Sequence, residues 1–97
     1  MQTYIFLVNI TDQGIKGIKD FEKRVAGAKA AFKKAGGKWI SYHLTLGQYD
    51  GVAVGEFPTP EAAFSVLLAI SKLGNIRTTT LTAFPEKEVA KIIKKIS

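Results

Sequence analysis

Residues 3–10, Thr-Tyr-Ile-Phe-Leu-Val-Asn-Ile, form a run of β-branched and aromatic residues with no breaker. Such a run reads as a strand. Alternation sends Tyr4, Phe6, Val8 and Ile10 to one side, and Ile5 and Leu7 to the other. Both faces of this strand therefore need cover. An antiparallel sheet with one wet face does not provide that, because its strands alternate apolar and polar residues.

After Thr11-Asp12, a natural helix cap, the period changes. Ile18, Phe21, Val25, Ala28, Phe32 and Ala35 fall at steps of three and four, one apolar stripe of a helix over about residues 13–35. Gly36-Gly37 stops it. Gly14, Gly17 and Gly27 each weaken that helix by roughly 1 kcal/mol relative to alanine. Close packing onto a sheet is one reason to keep them. A second strand is predicted over 38–46, with Ile40, Tyr42, Leu44 and Leu46 on one face and Trp39, Ser41, His43 and Thr45 on the other. Gly47 to Gly51 is a turn in which Asp50-Gly51 signals a hairpin, and 52–57 is a third strand. Thr59, Pro60 and Glu61 open a second helix that runs to about Leu73, before Gly74-Asn75. Residues 76–84 read as a fourth strand. From Pro85-Glu86 a last helix carries Val89, Ile92, Ile93 and Ile96 on one side. The order β-α-β-β-α-β plus a helix is the split βαβ arrangement of α+β ferredoxin-like domains, with a four-stranded antiparallel sheet.

A chain of 97 residues makes one domain, 1–97. No apolar run approaches the roughly 20 residues that span a bilayer. The start, Met1-Gln2-Thr3-Tyr4, has no basic segment of a leader. The expectation is a cytoplasmic, unprocessed protein. There is no cysteine and only one histidine, His43. Thiolate chemistry is excluded, and a zinc site would need carboxylates around one imidazole. No metal or cofactor is expected. The net charge of +6 is spread over lysines on helix surfaces, which reads as solvated faces.

The two-faced first strand, and the run Val52-Ala53-Val54 in the third, demand cover for the sheet's open side. A second copy packing its sheet on the first would supply it. The C-terminal helix folding back is the other solution, but roughly twelve residues cover only part of a sheet. A homodimer or higher oligomer is expected.

At Gly47-Gln48-Tyr49-Asp50 the chain resembles the GYD family of small prokaryotic proteins. The resemblance extends to Thr3-Tyr4-Ile5, Thr11-Asp12-Gln13-Gly14-Ile15-Lys16, Leu44-Thr45-Leu46 and Leu73-Gly74-Asn75-Ile76-Arg77-Thr78. It implies a ferredoxin-like domain of the dimeric α+β barrel kind. The family has no established activity to lend. More distant relatives by fold include cofactor-free monooxygenases, isomerases, haem-degrading enzymes and ligand sensors, an analogy of fold alone.

Four residues stand out as binding candidates. Tyr49 and Asp50 present a phenol and a carboxylate, or simply build the hairpin. His43 has the pKa range of a general base, or is a surface residue of a strand. Arg77 can hold a carboxylate or phosphate, or pair with Glu56 or Asp50. Asn9, an amide in an apolar strand, needs partners if buried.

Three functions compete. One is a small-molecule binding or sensing module, with Trp39, Tyr42, Phe64, His43 and Arg77 supplying apolar walls and polar anchors. Another is a cofactor-independent oxygenase or isomerase in which His43 or Asp50 moves a proton and Arg77 or Tyr49 steadies an anion. The third is RNA binding, but the third strand Val52-Ala53-Val54-Gly55-Glu56-Phe57 lacks the aromatic and basic pattern of RNA-recognition sheets. Nucleic acid and membrane are not expected partners.

Overall fold

A computed structural model describes residues 1–96. Its elements are β1 (Gln2–Ile10), α1 (Asp12–Lys16), a 3₁₀ turn (Ile18–Asp20), α2 (Phe21–Lys34), β2 (Lys38–Leu44), β3 (Gly51–Phe57), α3 (Pro60–Ser71), β4 (Ile76–Ala83) and α4 (Glu86–Lys94). The four strands form one sheet in the order β2-β3-β1-β4, and every pairing is antiparallel. This is the ferredoxin-like arrangement, an open α+β sheet with β1 and β3 at its centre.

The core lies between the sheet and helices α2 and α3. Tyr4, Phe6 and Val8 point into it from β1, Ala53 and Phe57 from β3, Phe32 from α2, and Ala63 and Val66 from α3. Phe57 is wholly enclosed. Its ring lies 4.8 Å from that of Phe32 and 6.3 Å from that of Phe6, so three elements meet at one aromatic cluster. Thr59 opens α3 by accepting a hydrogen bond from the Ala62 N–H at 3.1 Å, as its position before Pro60 predicts.

Two local expectations change. The helix expected over 13–35 is broken. Gly17 ends α1, a 3₁₀ turn follows, and α2 begins only at Phe21. Gly14 explains the break. A side chain there would collide with the Asn75 carbonyl oxygen and sit 2.7 Å from the Ile10 Cγ2, so α1 is pressed against the chain entering β4.

The second change is in β2. A bulge between Trp39 and Ser41 shifts the register. Trp39 stands opposite Gly55 and Tyr42 opposite Ala53, both on the core side, although they are three positions apart. Ser41 and His43 face the other way, opposite Val54 and Val52. The expected partition, with Trp39 and His43 on one face, therefore fails at Ile40.

The other side of the sheet carries Ile5 and Leu7, Val52 and Val54, and Leu81, placed there by the strand registers. Helix α4 does not cover this face. Each of its residues is exposed, including Val89, Ile92 and Ile93, and the molecule is elongated, 52 × 31 × 17 Å. No helix among the described residues is long and apolar enough to cross a membrane.

Candidate functional site

The apolar stripe of α2 does not fill the space above the sheet. Of the six stripe residues only Phe32 is buried. Gly27, Ala28 and Ala31 face the sheet with little or no side chain, and Ala53 answers them with a methyl group. The result is a cavity of about 460 Å³ between α2, α3 and the sheet. This lies within the range of small-molecule sites.

One wall is aromatic. The Phe32 and Trp39 rings are 5.0 Å apart, Trp39 and Tyr42 5.9 Å, and Tyr42 and Phe21 6.0 Å in a stacked pair. The β2 bulge creates this wall, since it turns both Trp39 and Tyr42 inward. Lys29 lies over the outer side of the Trp39 ring, 5.6 Å from its centroid.

The polar side chains of the lining are few: Lys23, Arg24, Tyr42, Ser71, Asn75 and Thr78. None is acidic, and none is a histidine. Arg24 Nη2 donates to the carbonyls of Gly14 (3.0 Å) and Gly17 (3.1 Å) at the end of α1. Positive charge there suits the carbonyl end of a helix. These bonds use two of the five guanidinium N–H groups. Arg24 Nε is shielded from solvent and has no partner. No carboxylate forms an ion pair with Arg24 among the described residues.

Tyr42 is held from beneath by the turn that follows β2. Its ring and hydroxyl lie against Gly51, where an added Cβ would come within 2.9 Å of both the hydroxyl and the ring edge. Burial pushes the Tyr42 phenol above its ordinary pKa; the Arg24 guanidinium pulls it down and the Asp50 carboxylate pushes it up. The net direction keeps the hydroxyl protonated.

A second polar structure closes the end of the cavity where Asn75 sits. The Thr11 N–H donates to the Asn75 carbonyl (3.0 Å), and the Thr11 hydroxyl donates to the Gly74 carbonyl (2.6 Å) while accepting from the Gly14 N–H (3.1 Å). Gln13 Nε2 donates to the Leu73 carbonyl (2.9 Å) and to Asn75 Oδ1 (3.0 Å), lying over Gly74, which takes φ +84°. The blocks Thr11-Asp12-Gln13-Gly14 and Leu73-Gly74-Asn75, about sixty residues apart in sequence, are thus one structure.

The four sequence candidates fall in different places. Asp50 is tied to β1: its Oδ2 accepts the Ile10 N–H (2.7 Å) and its N–H donates to the Val8 carbonyl (2.8 Å). Tyr49 lies in the turn, where its carbonyl accepts the Thr45 hydroxyl (2.6 Å). His43 is exposed on β2, on the face away from the cavity. Arg77 is on β4, opposite Asn9, and borders a shallow groove between that edge strand and Phe64 and Leu68 of α3. Since β2 and β4 are opposite edges, His43 and Arg77 do not come together. Glu56 stands across from Lys38 rather than beside Arg77, and Asn9 is exposed rather than buried. Of the four, only Asp50 bears on the cavity, through Tyr42.

The sequence reading passed over Arg24 and Asn75. The signal for Arg24 was present. It lies three residues after Phe21 and four before Ala28, on the flank of the stripe, and it is the single arginine of a helix whose other cations are lysines. For Asn75 there was none beyond its place after a helix stop. Among the described residues no group of three or more His, Cys, Asp or Glu is placed to hold a metal ion.

No curated protein matches the chain. The model of the GYD domain family does, over residues 4–93, which takes in β1 through nearly all of α4 and includes every block tied together above. The chain belongs to the GYD domain family.

Proposed function

We propose that this chain is a cytoplasmic small-molecule-binding module that takes an apolar ligand into the cavity beneath α2 and works as a homodimer. The observation that carries the reading is the cavity itself: about 460 Å³, walled by Phe32, Trp39 and Tyr42, with its few polar groups set among apolar ones. That is the composition of sites that recognise small organic molecules. The lining offers hydrogen-bond donors but neither a histidine nor a carboxylate, so it suits holding an oxygen better than shuttling a proton. The dimer is supported by the apolar open face with Ile5, Leu7, Val52, Val54 and Leu81, which α4 leaves bare.

Trp39 is the only tryptophan and forms part of the wall, so its fluorescence reports on occupancy. Titration with the neutral probe 2-phenylethanol and the acid phenylacetate should give a saturable change. Ala28→Phe, which places a ring in the cavity, should abolish it for both. A linear, unsaturable response to both probes in the wild-type chain would remove this reading.

A further inference from the structure

We infer that the ligand of this cavity is an apolar monocarboxylate whose carboxylate is received by the Arg24 guanidinium while its hydrocarbon body lies against Phe32, Trp39 and Tyr42. The inference rests on the ligand-binding reading and adds the chemical class.

Three observations converge on it. The first is the state of Arg24. Its two bonds go to neutral carbonyls, Gly14 and Gly17, and three of its five N–H groups have no partner among the described residues. One of these, Nε–H, is cut off from water as well. A buried donor without an acceptor is destabilising. A ligand oxygen that meets the open N–H groups of the guanidinium, which borders the cavity, offsets that loss.

The second is the charge of the lining. Lys23 and Arg24 are its ionisable cations, and it holds no aspartate or glutamate. Asp50 is the nearest acid to exert a resolved effect on a lining residue, and its carboxylate is occupied by the Ile10 N–H. A lining with cations and no carboxylate suits an anionic group. Lys23 is exposed to solvent while Arg24 is partly buried, so one ligand carboxylate matches the single guanidinium. A second would lie among apolar side chains, where an unpaired charge is strongly disfavoured.

The third is Tyr42. Its hydroxyl makes no hydrogen bond within the described residues, and it stays protonated. It adds a neutral donor on the same wall as the aromatic rings. A group with both an apolar body and an anionic end fits this wall from Trp39 to Arg24.

The same two probes test the class separately from the site. Phenylacetate and 2-phenylethanol share the ring and differ in the polar end. The wild-type chain at neutral pH, monitored by Trp39 fluorescence, should bind phenylacetate about tenfold or more tightly than the alcohol, as a charge-assisted contact requires. Arg24→Gln should bring the two affinities within about twofold, chiefly by weakening the acid, and Arg24→Lys should restore part of the preference. Arg24 also caps α1, so a thermal melt of each variant accompanies the titration. If Arg24→Gln fails to fold, the wild-type ratio of the two probes still decides. If the alcohol binds as well as the acid, or the acid preference survives in folded Arg24→Gln, the carboxylate inference is overturned while ligand binding stands. If neither probe gives a saturable change, both readings fall.

Discussion

The Asp50 carboxylate accepts the backbone N–H of Ile10 at 2.7 Å, across forty residues of sequence. It extends the β1–β3 pairing past its last registered pair, Val8 with Gly51, and holds the strand end from which Thr11 departs. Asp50→Ala should therefore cost about 1–3 kcal/mol, the value of a charged hydrogen bond plus an orphaned N–H. Asp50→Asn keeps an acceptor and should cost less. Urea midpoints with unchanged m-values would measure both. An alanine variant as stable as the wild type would show that the turn holds without this bond.

Two glycines in the α1–α2 segment should respond oppositely to alanine. At Gly14 the new methyl would strike the Asn75 backbone, which moves only with the whole junction, so Gly14→Ala should destabilise by about 1–3 kcal/mol. At Gly27 nothing lies within 4 Å of an added Cβ, and the position is inside α2. Gly27→Ala should stabilise by up to about 1 kcal/mol. Thermal melts of the pair check the sign as well as the size, and matching signs would contradict the packing described for α1.

Tyr42 sets a pH dependence. Its folded pKa is raised, chiefly by burial, so folding favours the protonated phenol. The associated stability is complete below the unfolded value of about 10 and is lost as pH climbs through the folded value. Between about pH 9 and pH 11 the wild type should lose more stability than Tyr42→Phe. The difference between the two removes the contributions of Tyr4, Tyr49 and the lysines. Parallel alkaline curves would show that Tyr42 titrates alike in both states.

The dimer proposal predicts that a charge in the middle of the open face separates the subunits. Leu7→Glu places a carboxylate between Val52 and Thr79 in the strand registers. Light scattering at micromolar concentration should fall from twice the chain mass to the chain mass, with the far-UV spectrum unchanged. A wild-type chain that already scatters as a monomer would rule out this use of the face.

The strand and helix order was legible because each element carried its own signal: the two-faced run of β1, the Thr59-Pro60-Glu61 cap of α3, the glycines after α2. The break at Gly17 was not, because the apolar stripe continues through Ile18 and Phe21 as if nothing happened. Only the Asn75 backbone, brought close by tertiary structure, shows why Gly14 is there. The bulge at Ile40 was hidden for a similar reason. Alternation along 38–46 fits two faces equally well, and the core side is fixed by Gly55 and Ala53 on the neighbouring strand. That single shift put Tyr42 on the same face as Trp39, which simple alternation would keep apart, and left His43 on the outward face. Arg24 was obscured by the lysines around it, whose charge it shares and whose solvent exposure it does not.

The junction of Thr11–Gly14 with Leu73–Asn75 has a kinetic consequence. Its bonds span about sixty residues, so they form only after the sheet has brought the ends of β1 and α3 together. They also involve partly exposed groups, and interactions of that kind open locally without global unfolding. The amides of Thr11 and Gly14 should thus exchange with deuterium well before those of Phe6 and Ala53 in the central strands. Since Asn75 and Arg24 both border the cavity, a molecule bound there would slow that exchange at a distance from its own contacts, and the protection of two backbone protons would record its residence.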